Sequence, residues 1–423
     1  MKIAVVGAGW AGCAAAVEAT RLGHEVTLFE ASRTAGGRAR RVMATVAGQS
    51  VALDNGQHIL IGAYAETLRL MKDVGVDEQS ALLRLPLTLQ FPNGNGLTLP
   101  DWPAPLDAFT GILSARGWPW ADKLSLLKVA LGWQLGGFSC PPHQSVSDLC
   151  RRLAPGVMTA LIEPLCVSAL NTPPERASGQ VFLRVLRDAL FAQSRGSNFL
   201  LPRIDLSALL PDAALAWLTA HGGDVRLGAR VQALTQSGSG WQLDGEPFER
   251  IVLACPPTEA ARLVQASGTD AGSWLNLANG LQHEALSTVY LYAPHARLRL
   301  PMLALPSSVT EPAQFAFDRG QLSGPDGLLA FVISASTGDS ATLTRQVLAQ
   351  ATRQFGLTDL QAVKTMVDKR ATFACTPGLQ RPTSPIAPGL LACGDYLAGP
   401  YPATLEGAVR SGLEAARHLS SGS

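Results

Sequence analysis

The 423-residue chain is predicted to be an α/β protein, with a Rossmann-like nucleotide-binding domain interleaved with a substrate domain of mixed sheet and helical cap. Three observations predict this. A glycine motif sits between a strand and a helix at the N-terminus, a second glycine-rich strand–turn–helix closes the chain, and strand-rich and helix-rich stretches alternate between them. Length points the same way, because a single core rarely grows past ~250–300 residues.

The first element is the apolar run IAVV at residues 3–6, of buried-strand type. Gly7-Ala8-Gly9-Trp10-Ala11-Gly12 follows, then an Ala-rich helical stretch from Cys13 to Leu22. A Gly23-His24 turn and the strand EVTLF lead to Glu30, 18 positions after Gly12. Strand, GxGxxG, helix, strand and acid in that order form the dinucleotide fingerprint. Gly7, Gly9 and Gly12, with Ala11 in the same loop, let backbone N–H groups approach a pyrophosphate where a helix dipole favours the anion. Glu30 can accept from ribose hydroxyls and would repel a 2′-phosphate, which argues against NADP and leaves FAD and NAD.

Two further segments select FAD. Gly36-Gly37-Arg38 comes six residues after Glu30, with Arg40 and Arg41 close behind. Such a loop can fold back over the same pyrophosphate, with Arg38 as a charge-assisted donor. At the other end, LLACGDYLAGPYPATLEGAVRSGLEAARHL (390–419) reads as strand, turn and a helix from about Thr404. Gly394 makes the turn, and Asp395 suits a ribityl or phosphate-side hydroxyl. The free N–H groups near Thr404, Leu405 and Glu406 would face the flavin pyrimidine. A site built from both ends of one chain fits FAD enzymes better than NAD dehydrogenases.

Between the ends, residues 85–100 read as a hairpin around Asn93-Gly94-Asn95-Gly96. Residues 103–220 look mostly helical. Stretches 222–234, 240–245 and 249–257 look like strands returning to the nucleotide domain, with Val231 as the adenine contact. Alternating runs across 286–334 suggest an antiparallel sheet, and a helix follows around 341–355. The expected FAD-binding domain is therefore 1–84, 221–285 and 371–423, and the expected substrate domain 85–220 and 286–370.

Composition narrows the partners. A net charge of +1 with no basic run excludes nucleic acid as the expected ligand. Charged residues make up 16%, against ~25% in an average domain, and mean hydropathy is positive. A large apolar cavity, membrane contact or an Ala/Leu-rich proteome would each produce that bias. Seven cysteines without a CxxC pair suggest a reducing compartment and no metal. The motif starts directly at the N-terminus, which leaves no room for a signal peptide. The 19 uncharged residues between Lys128 and Asp148 carry too many Gly and Pro for a spanning helix. The expected location is cytoplasmic, with peripheral membrane contact open.

At this point the whole chain resembles the amine-oxidase and phytoene-desaturase flavoprotein superfamily, and more narrowly the hydroxysqualene dehydroxylases. The narrower likeness rests on DNGQHILIGAY (54–64), PLCVSALNTPPERASGQVFLRVLRDALF (164–191) and LLPRIDLSALLPDAALAWL (200–218). GDYLAGPYPATLEGAVRSG (394–412) is similar too, in a form that desaturases share. The resemblance implies noncovalent FAD and a C30 isoprenoid substrate held in a long apolar tunnel. It also implies reductive dehydroxylation of hydroxysqualene to squalene, with an electron donor the sequence does not reveal. The Ser-Gly-Gly-Cys-Tyr site of covalent FAD attachment is missing from the sequence. A carotenoid-type desaturase is the main alternative, and a flavin-free lipid carrier the alternative of another class.

The resemblance places the polar run LDNGQH beside the flavin. Asn55, Gly56 and Gln57 would line the cofactor side, and His58 is the first candidate to protonate the leaving hydroxyl, since its unperturbed pKa is near 6.5. Asp54 would hold a turn or orient His58. Tyr401 and Tyr396 are rival donors, and a satisfied core histidine is the bland alternative for His58. Trp118, Trp120 and Trp133, with Lys123 and Lys128, could form an interfacial belt on a bilayer or the core of the cap. Cys255 and Cys393 follow apolar strands and are expected in the core.

Overall fold

The computed structural model describes residues 1–103, 105–190, 195–238 and 240–421. Residues 104 and 191–194, inside the stretch expected to be mostly helical, lie outside the described residues.

A six-stranded sheet forms the first layer. Its order is Asp224–Leu227, Glu25–Glu30, Lys2–Val6, Arg250–Leu253, Leu390–Ala392 and Pro385–Ala387. All neighbours are parallel except the last pair. The central strands are buried along nearly their whole length, as strands covered on both faces must be, hence their unbroken Val, Ile and Leu. Helices Trp10–Arg21 and Leu405–Ser421 pack together against this sheet. Their backbones approach closely because of glycine. A Cβ on Gly412 would lie 2.1 Å from the Ala11 carbonyl oxygen, and one on Gly12 would lie 1.8 Å from that of Gly7.

A five-stranded antiparallel sheet forms the second layer, ordered Met302–Ala304, Phe315–Asp318, Leu328–Ser334, His283–Tyr292 and Gln361–Phe373. Helix Ser340–Phe355 covers one face, started by the Asp339 side chain on the Thr342 N–H and ended at Gly356 in left-handed conformation. The expected hairpin is Thr88–Gln90 against Gly96–Thr98. A cap of helices follows, including Leu106–Ser114, Trp120–Leu135, Glu163–Leu170 and Gly179–Leu190.

The strand expectations need two corrections. The stretch 222–234 is a strand only over Asp224–Leu227, because Gly228 takes positive φ and turns the chain into a loop that carries Val231. Residues 234–248 do not rejoin the parallel sheet. They form a separate meander, Leu234–Ser237, Gly240–Leu243 and Glu246–Phe248. Alternation marks a strand but does not name its neighbour.

Candidate active site

One cavity of about 710 Å³ runs from the glycine motif into the space between the second sheet and the cap. Its nucleotide end is built from Gly7, Gly9 and Ala11, the Gly36-Gly37 loop, Val231 and the segment from Gly394 to Thr404-Leu405. Glu30 holds this end in shape by accepting from the Ala8 N–H at 2.8 Å and the Ser32 N–H at 2.7 Å. The Gly36 N–H donates to the Ala8 carbonyl at 2.8 Å. Gly12 lies behind the loop, where its missing side chain lets helix and loop meet. The Val231 carbonyl accepts from Arg262 at 3.3 Å.

Two charged groups expected to contact the cofactor face each other here. Arg38 pairs with Asp395, and it also donates to the Ala371 carbonyl at 2.5 Å. Helix Leu405–Ser421 opens onto the cavity at its N-terminus, where the Thr404 hydroxyl accepts from the Gly407 N–H at 3.0 Å. Beside it, Tyr396 lines the cavity, and its buried hydroxyl has no hydrogen-bond partner among the described residues. An orphaned hydroxyl, a helix N-terminus and bare glycine backbone together fit a dinucleotide carrying a polar ring system.

The polar run at 54–58 divides into separate tasks. The Asp54 carboxylate points away from the cavity and accepts from the Leu206 N–H at 2.8 Å. It therefore pins the start of helix Leu206–Leu209, a structural holding role of the kind that was one of the two expected of it. Burial, the larger effect, pushes its pKa up to about 6 against the lowering by that hydrogen bond and by Arg319. Asn55 latches the Gly-Gly-Arg loop, accepting from the Arg40 N–H at 2.9 Å and donating to the Arg38 carbonyl at 2.6 Å. Gln57 lines the cavity, but its amide is occupied at both ends. It donates to the Tyr290 hydroxyl at 2.7 Å and accepts from buried Arg319 at 3.3 Å. Tyr290 in turn donates to the Asp54 carbonyl at 2.9 Å.

His58 lines the cavity as expected, but its chemistry differs. Burial first, then the Arg38 charge, lower its pKa to about 4, with Asp368 acting in the opposite direction. Burial and Arg38 thus favour the neutral ring at neutral pH, whereas the sequence expectation rested on an unperturbed pKa near 6.5.

The far end of the cavity is mostly apolar, walled by Leu87, Leu89, Leu165, Phe182, Leu186, Met302, Phe315 and Phe317. Tyr401 reaches it, edge-on to Tyr64 with centroids 6.3 Å apart. Arg410 lies 5.0 Å over the Tyr401 ring. Burial raises the pKa of the Tyr64, Tyr396 and Tyr401 phenols. Among the groups the sequence did not single out are Tyr64, Asp188, Tyr290 and Arg319. Only Asp188 carried a local signal, since Arg184 stands one helical turn before it.

The cap divides the tryptophans between the two expected settings. Trp118 and Trp133 pack against the core, and Lys123 is buried with its ammonium on the Leu113 carbonyl at 2.7 Å. Trp120 and Lys128 are exposed. Cys255 and Cys393 are buried in the core, as expected, and burial raises both thiols, Cys255 to about 12.

This combination of sheet, glycine loops and C-terminal helix is that of a two-domain FAD oxidoreductase. The profile of the family described as flavin containing amine oxidoreductase matches residues 10–420, so the chain belongs to that family, and FAD is its cofactor. Within it, the chain is 27% identical to a hydroxysqualene dehydroxylase of Rhodopseudomonas palustris, across 97% of this chain and 96% of that one. It is also 23% identical to the 15-cis-phytoene desaturase of Synechococcus elongatus, across 97% of this chain and 94% of that one. The solved structure of cyclohexylamine oxidase from Brevibacterium oxydans superposes with a TM-score of 0.73 at 16% identity. That likeness covers 99% of this chain and 98% of the other and concerns the fold alone.

Proposed function

We propose that this enzyme carries out the reductive dehydroxylation of hydroxysqualene to squalene, in squalene and hopanoid biosynthesis. One observation carries the proposal: the nucleotide end and a long apolar chamber belong to the same cavity. A thirty-carbon chain needs such a chamber, and the relatives named hydroxysqualene dehydroxylase align along nearly the whole chain.

FAD in its reduced form supplies the hydride for the allylic carbon. The residues of the chain do the rest. Glycine backbone and the N-terminus of Leu405–Ser421 would hold the cofactor's phosphates and polar ring edge, with Arg38, Gly56, Val231 and Asp395 as further contacts and Asn55 fixing the Gly-Gly-Arg loop against them. Apolar walls exclude water while the carbon–oxygen bond breaks, so that a developing allylic cation meets hydride before solvent. The departing oxygen takes one proton and leaves as water.

The test is anaerobic. Reduced holoenzyme is mixed with hydroxysqualene, reappearance of oxidised-flavin absorbance is followed, and squalene is assayed by mass. One squalene per flavin reoxidised supports the proposal. Reduced flavin that ignores the alcohol, while oxidised flavin is bleached by a polyene, establishes the desaturase alternative, which the similarity to the phytoene desaturase favours.

The same proposal places the enzyme on a membrane surface. No helix among the described residues is long and apolar enough to cross a bilayer. Helix Trp120–Leu135, however, exposes Trp120 at 66%, Leu124 at 59%, Leu131 at 55% and Leu135 at 81%. At 3.6 residues per turn these four share an arc of roughly 60°. Exposed Lys128 borders the arc, and Trp102, Leu106 and Phe109 extend the apolar surface. Trp, Leu and a flanking cation suit an anionic lipid interface.

A further inference from the structure

We propose that Asp188 and Tyr401 form the subsite that takes the hydroxyl group of an isoprenoid alcohol, so that this pair separates the alcohol from a hydrocarbon of the same length. The inference rests on the dehydroxylation proposal and deepens it.

Helix Gly179–Leu190 turns Phe182, Val185, Leu186 and Ala189 into the cavity, the i, i+3, i+4, i+7 face expected of an apolar wall. Asp188 borders that face. It lines the same cavity and is only 7% exposed. Nothing about wall packing calls for a carboxylate at this point, and burying one is costly unless it is well partnered. The partners are present. Arg184 donates to one carboxylate oxygen at 3.3 Å, and Arg187 donates to the other at 3.0 Å from Nε and 2.9 Å from a terminal nitrogen. Tyr401 lines the same cavity, and the nearby Asp188 charge is one of the causes that raise its phenol, after burial.

A carboxylate offers about four lone-pair positions. The two arginines make three such contacts, which leaves room for one more donor, and the chamber is where that donor would come from. An alcohol O–H supplies it, and a hydrocarbon does not. A hydrocarbon also leaves the arginine contacts of Asp188 intact, so the subsite favours the alcohol without rejecting the product. The subsite is tied to the cofactor end through Arg410. That residue stacks 5.0 Å over the Tyr401 ring and donates to Glu406 at 2.6 Å, in the first turn of the helix that opens on the nucleotide end. A hydroxyl held there sits at a fixed place relative to that helix.

Asp368 is the competing carboxylate of the chamber. It is half-buried and accepts from the Arg370 N–H at 2.9 Å, on the His58 side. It stands on strand Gln361–Phe373 and not on an apolar helix face.

The test is binding to oxidised FAD holoenzyme in detergent micelles of fixed composition, titrating hydroxysqualene and, separately, squalene, with the flavin spectrum as readout. Loss of a hydrogen bond to a charged group predicts that Asp188→Ala weakens the alcohol about ten- to a hundredfold and leaves the hydrocarbon unchanged. Asp188→Asn keeps the shape and one acceptor and should fall between. Equal weakening of both ligands, an unchanged preference in Asp188→Ala, or transfer of the loss to Asp368→Asn overturns the subsite while the dehydroxylation proposal stands. A wild-type enzyme that binds neither ligand, or shows no preference for the alcohol, overturns both.

Discussion

Replacing Asp54 with asparagine should change how stability depends on pH. Asp54 is 2% exposed, and its folded pKa stands at about 6 against an ordinary 3.8. A raised carboxyl pKa means that the folded chain binds the proton more tightly than the unfolded chain. The associated stability is complete below 3.8 and is lost as pH rises through about 6. At ~1.36 kcal/mol per pH unit, that interval is worth about 3 kcal/mol. Asp54→Asn keeps the shape and the acceptor for the Leu206 N–H but removes the titration, and its extra amide donor costs about 1 kcal/mol if unpaired. The variant should therefore be about 2 kcal/mol more stable than wild type at pH 8 and about 1 kcal/mol less stable at pH 4. Urea unfolding followed by tryptophan fluorescence, with excess FAD at each pH, measures the difference. Parallel pH curves for the two proteins would refute the argument. Because Asp54 does not line the cavity, the variant should also retain its flavin and its turnover. A hundredfold loss of turnover would return Asp54 to the catalytic set.

Three other outcomes are expected. Gly12→Ala places a methyl group 1.8 Å from the Gly7 carbonyl oxygen, so the helix must retreat from the loop. The purified variant should carry little flavin, and a stoichiometric flavin-to-protein absorbance ratio would contradict this. His58, lowered to about 4, should put no inflection into the dehydroxylation rate across the ~6–8 range where an unperturbed histidine titrates. An inflection there that His58→Gln abolishes would show the ring to be charged in the working enzyme. Leu131→Glu combined with Leu135→Glu removes two exposed leucines, each worth ~1.5–3 kcal/mol when buried. Co-sedimentation with vesicles containing anionic lipid should fall at least tenfold, and unchanged binding would reject this face as the contact.

The parts legible in the sequence are those with a local signature. The strand–glycine–helix–acid order around Gly7 and Glu30 uses about thirty neighbouring residues, and the Thr404 helix start needs only its cap and turn. Alternation across 286–334 located strands of the second sheet, because period two reports a half-buried surface directly, but it missed the edge strand Gln361–Phe373. It could not show that residues 234–248 pair among themselves. Pairings across long sequence distances were equally hidden: Tyr290 with Asp54 and Gln57, and Arg319 with Gln57. Those pairings decide which polar groups remain free for chemistry. The inward position of Trp133 was legible, since it falls on the arc opposite Trp120 in a helix of 3.6 residues per turn.

The polar run LDNGQH shows how this division of labour serves the site. Four side chains with hydrogen-bonding capacity stand within five positions, yet three are committed elsewhere. Asp54 holds the Leu206 N–H, Asn55 holds the Gly-Gly-Arg loop, and Gln57 is clamped between Tyr290 and Arg319. The run thus fastens the cofactor loop to the second sheet through Tyr290 and to the segment 202–206 through Leu206 and Arg319, which also donates to the Pro202 carbonyl at 3.4 Å. The segment crosses the cavity wall and owes its position to all three fastenings. His58 is what this brace presents to the interior, an uncharged imidazole kept so by burial and by Arg38. Under the proposed dehydroxylation, a neutral ring adds no positive charge beside the carbon that loses its hydroxyl. The other polar groups of the chamber then stand at its opposite end, where phenols and the arginine-paired Asp188 line an otherwise apolar wall.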